Sequence, residues 1–223
     1  MRSTAHPVPL VTIAALAVAL VCQAGCAIGS PPTAPDPAAD PVASAESCLA
    51  RAVFAEPEDS AYCLPFPEGI TTKVTQAYCS PTGLSHEGRF AYDFECEPGD
   101  VILAAQDGVV FTIGETWPDN DPVSGHENRV LIRQDDGTMA FYAHFQQWSV
   151  TVDAGDTVSA GQLLGLCGTS GTPSHAHLHF EVFEGAAYQW DEGVPVNFRN
   201  AQGRLDFRGG LGVDETYLVG PCE

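Results

Sequence analysis

Residues 174–182 read Ser-His-Ala-His-Leu-His-Phe-Glu-Val. In a strand, successive side chains point to opposite faces, so strict alternation over such a run predicts one. Leu178, Phe180 and Val182 then share a face suited to a core, and His175, His177, His179 and Glu181 share the other. Short apolar or alternating runs recur upstream at 101–105, 109–113, 129–133, 139–145 and 158–166. Turn chemistry separates them: Glu97-Pro98-Gly99-Asp100, Gln106-Asp107-Gly108, Asp135-Asp136-Gly137, Asp153-Ala154-Gly155-Asp156 and Gly168 to Gly171. Short strands punctuated by Gly, Pro, Asp and Asn indicate an all-β domain. No long helical period competes with them after residue 60.

The N-terminal part reads differently. Residues 1–26 have the form of an export signal, with Arg2 as a weak basic start and an apolar run from Pro9 to Val21. That run is too short for a membrane-spanning helix. The ending Ala24-Gly25-Cys26 resembles a bacterial lipobox, which makes Cys26 a candidate lipid-anchored first residue. Gln23 stands where an aliphatic residue is usual, so a plain secretory signal cut near Ala27 is the alternative. Residues 27–45 form a Pro/Ala-rich linker too poor in apolar groups to fold. Residues 46–61 are an N-terminal extension, and a short helix over 45–54 is expected to pack on the domain edge and pin Cys48. The main domain covers 62–200 and a loop-rich tail 201–223, with 195–199 expected as a last strand and Cys222 tying down the end.

Charge and cysteine usage narrow the setting. Nine Lys and Arg against 29 Asp and Glu give a net charge of -20, which repels polyanions and argues against nucleic acid as a partner. Six cysteines follow the signal: Cys48, Cys63, Cys79, Cys96, Cys167 and Cys222. An even number in an exported chain suggests disulfides, with Cys79–Cys96 as the expected pair because a turn and strand lie between them. The absence of a CxxC pair argues against a thiolate zinc site.

The chain has seven histidines, and three of them sit on the 174–182 run. Side-by-side imidazoles serve a metal better than a packed core. Upstream, Phe90, Tyr92 and Phe94 alternate with Ala91, Asp93 and Glu95, so Asp93 needs a partner near the core. His86 lies seven residues before Asp93, an odd separation that demands a turn, and Glu87-Gly88 provides one. In Phe141-Tyr142-Ala143-His144-Phe145, parity sets His144 opposite the apolar side chains. Two His and one Asp with an open position suit catalytic Zn²⁺, leaving other histidines as base and electrostatic stabiliser. There is no HExxH helix and no G-x-S-x-G elbow, and the Gly155–Gly161 hairpin has no lysine to carry a prosthetic group. Spacing alone does not choose among His175, His177 and His179.

Together, His86…Asp93, Tyr142-Ala143-His144 and His177-Leu178-His179-Phe180-Glu181-Val182 resemble the three motifs of the peptidase M23 family, the lysostaphin/LytM-type zinc endopeptidases of bacterial cell walls. The likeness runs from about Tyr62 to Arg199 and includes Pro98-Gly99-Asp100-Val101 and Gly161-Gln162-Leu163-Leu164-Gly165. It implies a lysostaphin/LytM-like antiparallel β-sheet domain of the duplicated hybrid motif type. It makes His86, Asp93 and His179 the zinc ligands, His144 and His177 the catalytic pair, and His175 a bystander. The first pair is spaced H-x6-D, as in a longer-spaced subgroup, where many members have H-x3-D. Asn128 matches an Asn read as satisfying backbone in a turn, and His126 is read as an exposed loop residue. The implied substrate is a peptide bond of peptidoglycan and the implied location the cell envelope or the exterior. The alternatives are a non-catalytic cell-wall-binding or amidase-activating module, and a zinc peptidase acting on a peptide outside the wall.

Overall fold

A computed structural model describes residues 41–80, 86–171, 175–185 and 193–222. The export segment 1–26, its candidate anchor Cys26 and the linker up to residue 40 lie outside the described residues. Helix α1 (Pro41–Arg51) takes up residues 41–45, the end of the expected linker. Ala45, Cys48 and Ala52, spaced three and four apart, turn one side of this segment into the core.

Eleven strands follow among the described residues: β1 (Thr71–Gln76), β2 (Ala91–Glu95), β3 (Val101–Leu103), β4 (Gly108–Gly114), β5 (Arg129–Arg133), β6 (Met139–Ala143), β7 (Thr157–Val158), β8 (Leu163–Leu166), β9 (His177–Phe183), β10 (Ala201–Gln202) and β11 (Thr216–Val219). Nine form one antiparallel sheet in the order β10-β11-β1-β2-β9-β6-β5-β4-β7, and β3 pairs with β8. The all-β reading holds.

The alternation seen in sequence becomes two faces. Val74, Tyr92, Phe94, Leu178, Phe180, Val182, Ala140, Tyr142, Val130, Ile132 and Val110 join Ile102, Leu164 and Leu64 in the main core. Burying each of the larger side chains is worth roughly 1.5–3 kcal/mol. A second buried cluster, Leu131, Met139, Phe141, Ala143 and Phe183, lies on the other face of β5, β6 and β9.

Several expectations are corrected. The run 158–166 is two strands, split where Gly161 turns the chain at φ 81°. Residues 195–199 form no strand; Val194 N–H bonds Val182 O and Arg199 N–H bonds Tyr62 O across single contacts. The tail instead supplies β10 and β11, and β11 extends the sheet beside β1. The disulfides are Cys48–Cys79, Cys63–Cys222 and Cys96–Cys167, not Cys79–Cys96. Cys79 ends the turn after β1 and meets α1, whereas Cys96 follows β2 and meets the chain after β8. The helix does pin Cys48, and Cys222 does fasten the C-terminal end.

Candidate metal centre and histidine pair

β9 lies between β2 and β6, and its register builds the site. Asp93 of β2 and Ala143 of β6 are both opposite His179, and Glu95 is opposite His177. Cross-strand partners share a face, so Asp93 and His179 project together while Tyr92, Phe94, Leu178 and Phe180 fill the core behind them. His86 comes from a turn over residues 86–88, closed by Arg89 N–H to His86 O at 3.2 Å with Gly88 at φ 68°. The turn inferred from odd spacing is present.

Three donor atoms converge. His86 Nε2 is 3.0 Å from Asp93 Oδ1, His179 Nδ1 is 2.9 Å from the same oxygen, and the two nitrogens are 3.3 Å apart. All three residues are buried. A tetrahedral ion with bonds of ~2.0–2.1 Å spaces its ligands about 3.3 Å apart, so the set fits such a metal on three of its four positions. The distal nitrogen of His86 agrees. His86 Nδ1 faces Ala77 O at 3.3 Å, and a carbonyl only accepts, so the ring proton sits on Nδ1 and the lone pair on the converging Nε2. His179 Nε2 lies 3.6 Å from Glu181 Oε2. Burial would raise the Asp93 carboxyl, but hydrogen bonds from His179 and His86 outweigh it and hold the group well below its ordinary value. Burial likewise opposes the charged form of His179, and its bonds to Asp93 and Glu181 outweigh that, raising it.

The sequence placed Glu181 on the histidine face without a role, and Arg89 was not singled out. Fully buried Glu181 forms an ion pair with Arg89, whose Nη2 is also 3.4 Å from His179 Nε2. Burial would raise Glu181, but its bond to His179 and the Arg89 charge keep it low. The signal for Glu181 was its parity with His179, two residues away; Arg89 gave none beyond its place in the His86–Asp93 spacer.

His144 and His177 stand beside this centre, with ring centroids 4.6 Å apart. His177 Nε2 is 3.6 Å from Asp93 Oδ1. His144 arrives by a route that parity does not describe. Phe141 and Ala143 lie on the site face, so straight-strand parity would turn His144 towards the main core. The strand ends at Ala143, His144 takes φ 72°, and Phe145 then joins the main core instead. The kink swaps the faces and delivers the imidazole to the site. His144 Nδ1 faces Ser170 O at 2.7 Å and His177 Nδ1 faces His175 O at 3.0 Å. Carbonyls only accept, so both Nδ1 atoms carry the proton and both Nε2 atoms keep a free lone pair. Burial lowers both histidines, His144 to about 3.

His175 is exposed and outside the donor cluster. Asn128 satisfies backbone as expected: it accepts from Trp117 N–H at 2.9 Å and donates to Trp117 O at 2.8 Å and Phe145 O at 3.1 Å. His126 is not freely exposed. It stacks on Trp117 with centroids 3.5 Å apart and pairs with Asp121 at 3.0 Å.

Residues 87–197 match the model of peptidase family M23. The chain is similar to the glycyl-glycine endopeptidase ALE-1 of Staphylococcus capitis, 30% identical over 102 residues, which are 45% of this chain and 26% of that protein. It is also similar to the peptidoglycan DD-endopeptidase ShyA of Vibrio cholerae, 32% identical over 109 residues, 49% of this chain and 22% of that protein. The chain thus matches about a quarter of the length of these relatives. Among solved structures, the catalytic domain of the prophage-encoded M23 protein EnpA from Enterococcus faecalis aligns at 25% identity and TM-score 0.47, over 59% of this chain and 94% of that one.

Proposed function

Because this chain belongs to peptidase family M23, we propose that it is an exported, zinc-dependent endopeptidase that hydrolyses peptide bonds of bacterial peptidoglycan. The observation that carries this reading is the convergence of His86 Nε2, Asp93 Oδ1 and His179 Nδ1 beside two histidines of fixed tautomer. Three disulfides fit an oxidising compartment outside the cytoplasm.

His86, Asp93 and His179 would hold the ion. When bound there, zinc supplies Lewis acidity that polarises a carbonyl and makes water easier to deprotonate. The chain's own groups do the rest. The Ser170 and His175 carbonyls hold His144 and His177 with Nε2 as the basic atom, and burial keeps both rings neutral. The pair thus offers an acceptor for the attacking water's proton. Once protonated, the same ring becomes a donor to the tetrahedral oxyanion or the leaving amine. Glu181 and Arg89 act behind His179, orienting its ring.

The test is digestion of purified peptidoglycan followed by muropeptide analysis, alongside metal content. The expected result is about one zinc per chain and release of peptide-cleaved fragments, both lost with a chelator and in His179→Ala. A protein without zinc, or cleavage unchanged in His179→Ala, would refute the assignment.

A further inference from the structure

Two exposed tryptophans stand on adjoining loops beside His144, and neither has a role in the chemistry above. The loop between β4 and β5 carries Trp117, and the segment after β6 carries Trp148. Three hydrogen bonds join the two: Trp148 N–H to Glu115 O at 3.0 Å, Gln147 Nε2 to Thr116 O at 2.8 Å, and Val150 N–H to Glu115 Oε2 at 3.2 Å. Asn128 then ties the Trp117 backbone to Phe145 O, next to His144.

Trp148 is 64% exposed. It occupies the third position of a turn closed by Ser149 N–H to Gln146 O at 3.2 Å, at φ 59°. That backbone favours glycine and penalises a bulky side chain. An exposed indole in a strained position adds little to the core, and such outliers gather at functional sites. Trp117 is 37% exposed, and the His126 ring lies parallel to it at an interplanar angle of 7°. Asp121 holds that imidazole and Asn128 holds the Trp117 backbone, so the indole is fixed before any ligand arrives.

We propose that Trp117 and Trp148 form a binding rim for the uncharged sugar chain of peptidoglycan; this rests on the cell-wall reading above. The flat C–H face of a pyranose ring packs on an indole, and ring hydroxyls and acetamido groups bond to side-chain carboxylates and amides. The loop supplies Glu115, Asp119, Asn120 and Asp121, and the chain as a whole carries -20. An anionic ligand is repelled there, whereas a neutral hydroxyl-rich chain is not. Holding the glycan at this rim places its attached peptides near His144.

The probe is a soluble, peptide-free β-1,4-linked N-acetylglucosamine oligosaccharide, titrated into the full-length chain by calorimetry. Trp148→Gly removes the indole and relieves the backbone, so it folds at least as well as the parent. The expected result is saturable binding, weakened about tenfold or more in Trp148→Gly, with zinc content and cleavage of a short sugar-free stem peptide unchanged. No sugar binding by the parent, or equal binding by parent and variant, overturns the proposal. So does a rim that binds a lysine-rich peptide and no sugar. Sugar binding that depends on Trp148, in a protein that leaves peptidoglycan intact, supports the rim and refutes the hydrolase reading, so the two fail separately.

Discussion

Asn128 joins three pieces of chain through one buried amide. It bonds Trp117 on both backbone polar groups and Phe145 O, while its own N–H bonds Ser170 Oγ at 2.9 Å. Ser170 in turn bonds Phe145 O through its hydroxyl and His144 Nδ1 through its carbonyl. Asn128→Ala would leave these backbone groups buried and unpaired, at roughly 1–3 kcal/mol for each group that water does not reach. The expected outcome in urea unfolding is a loss of about 3 kcal/mol, with metal content kept and turnover reduced because His144 loses its support. An unchanged midpoint would mean that water replaces the amide. The family resemblance pointed to Asn128 as a backbone-satisfying group, a role its amide fits because it both donates and accepts. The sequence did not reveal the swap of faces at His144, because a positive φ in a non-glycine residue leaves no mark on hydrophobic alternation.

At the scale of elements, the segment bearing His144 is held against the chain after β8. Gly168 N–H bonds His144 O at 2.9 Å, and Gln146 N–H bonds Leu166 O at 2.9 Å. A side-chain carbon at Gly168 would lie 2.3 Å from Gln146 N and 2.6 Å from the Phe145 carbonyl carbon, and backbone cannot yield as a flexible side chain can. Gly168→Ala should therefore push the 144–146 segment away. Turnover should drop sharply and the thermal midpoint fall, while His86, Asp93 and His179, which sit on other elements, keep their positions and the metal content stays at the parent's level. A fully active Gly168→Ala protein would show that the segment moves freely. The strands nearest this region were legible: 129–133 was read with its observed bounds, and alternation assigned Asp93 and His179 to their faces. Strands β10 and β11, at one end of the sheet, were not, because residues such as Gln202, Thr216 and Leu218 are exposed there and leave a weak pattern. Nor does alternation tell which strands are neighbours; placing β9 between β2 and β6 is a property of the folded sheet.

Over the whole molecule, the disulfides close separations of 31, 159 and 71 residues. Local sequence could not pair such distant cysteines, which is why the nearer Cys79–Cys96 pairing failed. The same long-range packing buries a cluster of ionisable groups, and this sets how stability responds to pH. Burial lowers His144 to about 3 and also lowers His177, whereas in the unfolded chain both titrate near 6.5. Below pH 6.5 the unfolded state therefore binds more protons, and stability falls as pH falls, by at most about 1.4 kcal/mol per unit for each histidine. Asp93 and Glu181, both held low, are ionised in folded and unfolded states from pH 6.5 down to about 5 and add no slope there; their contribution is lost only in stronger acid. His179 is raised, so its contribution is complete below 6.5 and is lost as pH rises through its folded value. The metal-free protein should thus be most stable near pH 6.5 and melt at progressively lower temperature down to pH 4.5. His144→Ala removes one of the two groups responsible and should make that acid limb shallower. Melting curves of chelator-treated parent and variant across this range check the account. A midpoint that stays level from pH 6.5 to 4.5 would mean that both imidazoles take up protons within the fold.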